Sequence, residues 1–337
     1  MKIAILFVFI LLLGCESREP IAPVPEVSSG WEKQNSGVPT SLGGASFLDA
    51  KLGQKVGWIS GNKGVVLYTA DGGKNWSPQQ TGTDKLLVSI FFINANEGWA
   101  VGDSETVIHT TDGGKHWVLR DIAPVGVVTS LRSKKKDLTG LFFTDQQKGF
   151  IVGSKGFFIF TQDAGLHWEM VKIPFNATLT SVFFISPNQG WVTGDAGTIF
   201  YTSDGGAHWI LQTTPTKKDL HRIFFVDGKT GFAVGGNGMI LATKNSGQTW
   251  EEQKSGVPTF LLGVFFINEK TGFITGAGGT VLHTGDGGST WTQQPSGTNE
   301  FLINVYFANK EVGWIVGTKG TILHTNKGGT APAISPH

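Results

Sequence analysis

The chain has 337 residues and a formal net charge of only +1. A charge so sparse and balanced excludes general nucleic-acid affinity, which needs a strongly basic face. The single cysteine, Cys15, excludes an internal disulfide framework and a cysteine-based zinc site.

The first element in chain order is an export signal. Met1-Lys2 precedes an apolar run from Ile3 to Leu13, followed by Gly14-Cys15. A short basic start and an apolar stretch of this length make a signal peptide, residues 1–14, too short to span a bilayer. Leu12-Leu13-Gly14-Cys15 resembles a bacterial lipobox. That resemblance implies cleavage before Cys15, acylation of Cys15, and attachment to a bacterial membrane. Glu16, where an Asp would signal inner-membrane retention, favours the outer membrane, facing the periplasm or the surface. Two or more acyl chains give a stable anchor. Residues 15–29, with Pro20, Pro23 and Pro25, read as the acylated Cys and an extended, flexible tether.

Residues 30–329 are a repeat. Gly followed by Trp or Phe occurs at Gly57-Trp58, Gly98-Trp99, Gly149-Phe150, Gly190-Trp191, Gly231-Phe232, Gly272-Phe273 and Gly313-Trp314. All steps are 41 residues except the second, which is 51. The fourth unit shows the plan: Ser181-Val182-Phe183-Phe184-Ile185, Gly190-Trp191-Val192-Thr193-Gly194, Gly197-Thr198-Ile199-Phe200-Tyr201-Thr202, then Asp204-Gly205-Gly206-Ala207-His208-Trp209. These are four β-prone runs, strands A to D, with strand D starting at the last Trp. Four strands in each unit predict an all-β chain, a single seven-bladed β-propeller. No stretch keeps a helical period, so a helical solenoid is excluded.

The seventh unit lacks a strand D. Gly30-Trp31-Glu32-Lys33-Gln34-Asn35 matches Thr249-Trp250-Glu251-Glu252-Gln253-Lys254 and supplies it from the N-terminal side. Trp31 should therefore close the ring, which removes unpaired strand edges. Residues 330–337 read as a short tail.

Asp112-Gly113-Gly114-Lys115-His116-Trp117 resembles the Asp-box, or BNR repeat, of sialidase-like propellers. Asp71, Asp112, Asp163, Asp204 and Asp286 hold the Asp position; Asn245 and Lys327 replace it in units five and seven. The carboxylate can bind N–H groups of its own turn. Trp76, Trp117, Trp168, Trp209, Trp250 and Trp291 should then pack between blades. The full pattern is similar to the photosystem II stability and assembly factor family of chloroplasts and cyanobacteria, with its bacterial lipoprotein branch. That resemblance covers residues 30–329. It implies a scaffold for protein binding or complex assembly, and a true photosystem factor if the source is phototrophic. Photosynthetic members use an Arg-rich patch. The four arginines here, Arg18, Arg120, Arg132 and Arg222, are too few to build one.

Catalytic chemistry finds little material. A sialidase needs three convergent Arg and a Tyr nucleophile, but Tyr68, Tyr201 and Tyr306 all fill repeat positions. A glycosidase needs a close carboxylate pair, and the sequence singles out none. His109, His283 and His324 share a strand-C position that also accepts Phe160 and Ala242, so it is a packing site. His116, His167 and His208 lie in different blades and do not predict a metal centre. No enzyme activity, metal or cofactor is expected. The expected partners are a protein and, through the lipid, a membrane; a cell-surface glycan, bound or hydrolysed, is the alternative.

The long second step holds an insertion containing Arg132, Lys134, Lys135 and Lys136. In an up-and-down blade the D-to-A links and B-to-C turns share one face. The insertion should therefore lie beside Lys155 and on the same face as Lys217 and Lys218, as a docking surface for an acidic protein surface or anionic headgroups. Loops on rigid scaffolds are where binding concentrates.

Overall fold

The computed structural model describes residues 30–48, 56–123, 136–173 and 176–330. Residues 1–29, on which the expected signal peptide, acylated Cys15 and tether fall, together with Arg132, Lys134, Lys135 and residues 331–337, lie outside the described residues. Seven four-stranded antiparallel sheets form a ring of blades. Blade four comprises strand A, Leu179–Phe184, B, Gly190–Gly194, C, Ile199–Thr202, and D, Ile210–Leu211. Strand A lies innermost, and its contacts run to the strands A of both neighbouring blades.

The repeated Gly-Trp/Phe pair has a steric cause. A Cβ on Gly190 would fall 2.5 Å from the Phe184 ring, which lies across strand B. The following aromatic points into the junction with the next blade. Trp191 stacks on Phe225 of blade five at 3.4 Å between centroids, and Trp250 meets Phe225 edge-on at 6.0 Å. The same trio recurs at every junction, as in Trp58, Phe92 and Trp117 or Phe232, Phe266 and Trp291. Stacked and edge-on contacts suit aromatic quadrupoles and add to the apolar area buried. The strand-C position shared by the histidines packs on the same aromatics: His109 stacks on Trp99 at 3.8 Å, and His283 lies 4.8 Å from Phe273.

The last blade closes as expected. Glu32–Asn35 pairs antiparallel with Thr321–Thr325, Glu32 opposite His324 and Asn35 opposite Thr321. Trp31 packs edge-on against Phe273 and Phe307, completing the seventh junction. One boundary differs from the sequence reading. Strand D begins after the box Trp, not at it, because the indole turns inward to the junction while the strand runs along the rim.

A second clasp joins the blades. The Gln three residues after a box Trp accepts a hydrogen bond from the box Trp of the following blade. Trp76 Nε1 donates to Gln34, Trp117 to Gln79, Trp250 to Gln212 and Trp291 to Gln253, at 3.0–3.1 Å. Gln212 Nε2 also donates to Ser246 O at 2.8 Å, as does Trp191 Nε1 at 3.2 Å. Arg120 and Val171 replace the Gln in blades two and three. The facing indoles, Trp168 and Trp209, keep a buried Nε1 without a partner among the described residues. An orphaned buried donor costs about 1–3 kcal/mol. Val171→Gln should therefore stabilise the ring by about 1 kcal/mol, and Gln212→Leu should destabilise it by about 1–3 kcal/mol, both read from denaturant melts.

Candidate partner-binding face

The Asp-box residues serve structure. The Thr ending strand C and the Asp two residues on form one motif. In blade two, Thr110 Oγ1 donates to Asp112 Oδ1 at 2.9 Å and accepts from Gly114 N at 2.9 Å. Asp112 Oδ1 also accepts from His116 N at 2.9 Å, and Oδ2 contacts His116 Nδ1 at 2.6 Å. Asp71, Asp163, Asp204 and Asp286 repeat this, with Asn75, His167, His208 and Thr290 as partners. The three box histidines are thus each held by their own blade's Asp. Neutral Asn245 substitutes fully, accepting from Thr243 Oγ1 at 3.0 Å and Thr249 N at 2.9 Å.

These bonds favour the charged carboxylate. The backbone N–H of Asn75, then its side chain, lowers Asp71 to about 2. His167 does the same for Asp163, and the Thr290 hydroxyl and N–H for Asp286, each to about 2. Asp112 and Asp204 are lowered further. A carboxyl depressed in the folded state contributes stability that is present above its ordinary value near 4 and is lost as pH falls through its folded value. The melting temperature should therefore drop steeply between about pH 4 and pH 2. A flat profile there would show that the boxes add nothing to acid resistance.

The face made by the B-to-C turns and D-to-A links is different in kind. Each B-to-C turn places two consecutive residues at positive φ, the first of them Lys63, Ser104, Lys155, Ala196 or Lys319 in five of the blades. Carboxylates from the links hold two of these turns. Asp137 Oδ1 accepts from Ser104 N at 3.1 Å, and Asp219 Oδ1 accepts from Ala196 N at 2.9 Å. The insertion's end is docked on both sides. Glu105 N donates to Lys136 O at 2.7 Å, Lys136 N donates to Glu105 Oε1 at 3.2 Å, and Asp137 N donates to Ser154 Oγ at 3.0 Å. Lys136 is thus beside the turn bearing exposed Lys155. Lys217 and Lys218 sit two blades on, next to Asp219.

The charge of this face is mixed, which the sequence reading of a basic patch did not include. Burial, then the neighbouring Asp137, raises Asp103. Burial, then Asp219, raises Asp195. Lys319 Nζ pairs with Glu300 at 2.9 Å. Phe260 and Phe301, from the links into blades six and seven, are 49% and 37% exposed, so the same face also offers aromatic surface. Both were missed because they precede strand A, where other blades carry Ser41 or Thr178. Among the described residues, no group of three His, Cys, Asp or Glu is placed to hold a metal ion.

A family profile described as Photosynthesis system II assembly factor YCF48 matches residues 25–124, 128–209, 163–256 and 252–333. No curated protein matches the sequence. A solved YCF48 bound to a D1 peptide superposes with a TM-score of 0.73 at 21% identity, over 88% of this chain and 97% of that one. YCF48 from Cyanidioschyzon merolae gives 0.72 at 19% identity, over 89% and 99%. The GH74 enzyme of Niastella koreensis gives 0.67 at 15% identity, over 88% of this chain and 54% of that one. At such identities the likeness to solved structures shows the fold alone, and this fold carries enzymes as well as assembly factors.

Proposed function

This chain belongs to the photosystem II assembly factor YCF48 family, and from that premise we propose that it is a non-catalytic scaffold, anchored to a membrane through Cys15, that binds a protein partner. The observation that carries this reading is the B-to-C turn face. There Lys136, bonded to Glu105 beside the turn of exposed Lys155, shares a face with exposed Lys217 and with Phe260 and Phe301 of the links into blades six and seven. A rigid face of mixed charge with aromatic anchors suits an extended polypeptide segment, and a D1 peptide is bound to the YCF48 relative. The two arginines among the described residues lie elsewhere: Arg120 contacts His109 Nδ1 at 3.1 Å, and Arg222 lies on an innermost strand. Lysines therefore supply the cations, and binding should weaken with salt.

In-cell crosslinking with the full lipoprotein, beside a Lys134/Lys135/Lys136→Glu variant, tests this. One specific protein captured by the parent and lost in the variant is the expected result. Capture of nothing by either form would end the scaffold reading. Cys15→Ser should release the protein from the membrane fraction; retention there would contradict the lipid anchor.

A second reading rests on Asp103 with Asp137 and Asp195 with Asp219. A raised acid beside a second carboxylate is the pattern of glycoside hydrolysis. Against it, Asp137 and Asp219 are each tied to a backbone N–H of a turn. Release of reducing ends from cell-surface glycans, abolished by Asp195→Asn, would establish it over the scaffold.

A further inference from the structure

The centre of the ring holds an unmet polar demand. Arg222 lies in strand A of blade five, Leu220–Phe225, opposite Val234. At this height the other six blades carry Gly44, Ser89, Gly140, Ser181, Gly263 and Asn304, a belt of small side chains with one guanidinium in it. The belt is tight. A Cβ on Gly263 would fall 2.6 Å from Thr275 Oγ1 and 3.1 Å from Asn304 Cα of the next blade. By the same geometry Arg222 Cβ faces Gly263.

Three buried polar atoms at this belt have no partner among the described residues: Arg222 Nε, Thr275 Oγ1 beside Gly263, and Ser60 Oγ beside Gly44. The equivalent hydroxyl in blade four, Thr193, is taken up by Thr180 at 3.2 Å. The residue before Arg222 does not serve it either, since His221 Nδ1 donates to Leu261 O at 2.9 Å. Burial alone lowers Arg222 to about 10, and no carboxylate offsets that. On the side of the A-to-B turns, Phe91, Phe142, Phe183, Phe224, Phe265 and Tyr306 form a chain of rings with neighbouring centroids 5.0–5.8 Å apart. That apolar floor strengthens any charge interaction above it. Native proteins seldom leave such groups unmatched without a water or ion.

We propose that the central belt is an anion site in which Arg222 holds a small monovalent carboxylate, of formate or acetate size. One fixed cation matches one negative charge, and the guanidinium fork fits a carboxylate in bidentate fashion.

The test uses the whole purified chain. Melting temperature is followed against sodium formate, with sodium chloride at matched ionic strength and neutral formamide as controls, for the parent and for Arg222→Met. The site predicts a saturable rise with formate in the parent, no such rise with formamide, and a flat response in the variant. The variant should also melt at or above the anion-free parent, because a half-buried charge with an unpartnered Nε has gone. An equal response of both proteins to formate, or none in the parent, overturns the proposal. Should Arg222→Met fail to fold, carbon-13 formate decides with the parent alone. Saturable broadening of its resonance, reversed by acetate and not by acetamide, supports the site. A resonance unaffected by the protein removes it.

Discussion

Deletion of residues 30–38 should abolish the single cooperative unfolding transition of the ring and leave a protein prone to aggregation. The segment supplies the outer strand of blade seven, so its loss frees the edge of Thr321–Thr325 for pairing with other chains. It also removes Trp31 from Phe273 and Phe307, and Gln34 from the indole of Trp76. Two junctions are therefore weakened by one deletion. Closure makes every blade depend on both neighbours, unlike an open repeat array whose ends can fray separately. Calorimetry with size exclusion would read the effect; an unchanged sharp transition would show that the ring does not need its closing strand.

Trp191→Ala should cost about 3–5 kcal/mol, the range for a large aromatic removed from a packed core. Trp191 is completely buried, stacks on Phe225, packs at a tilt against Tyr201, and donates through Nε1 to Ser246 O across the junction. The variant leaves a cavity, an unstacked Phe225 and one fewer inter-blade bond. Trp76→Ala makes the comparison, since that indole is only half-buried at the rim and should cost less. Equal losses in denaturant melts would mean that strand-B and box tryptophans contribute alike.

Much of this architecture is legible in the sequence because one solution is repeated. The junction trio needs a strand-B aromatic, a final strand-A Phe and a box Trp, and these recur at fixed spacing from Trp58 to Trp314. The closing role of Trp31 follows because the seventh unit lacks the partner that the others have. The glutamine clasp was not legible. A Gln three residues past a Trp looks like any polar rim residue until the next blade's indole is seen to reach it. The link carboxylates were hidden for a related reason: Asp137 and Asp219 precede strand A in two blades only, and they act on the turns of the blade before. Arg222 was counted among the arginines, but its place was not legible, because strand A was read for its buried face and not for what lies at the ring's centre. On the face of the B-to-C turns the placement of Lys136, Lys155, Lys217 and Lys218 was legible; their carboxylate and aromatic neighbours were not, since blades adjoin there through links of irregular sequence.

Hydrogen exchange on the chain with and without its crosslinked partner tests the scaffold account most directly. The account predicts slowed exchange at the B-to-C turns and D-to-A links around Lys136, Ser154-Lys155, Ala196 and Lys217-Lys218, with the rim strands unchanged. Protection confined to the rim, or spread evenly over all seven blades, would contradict it.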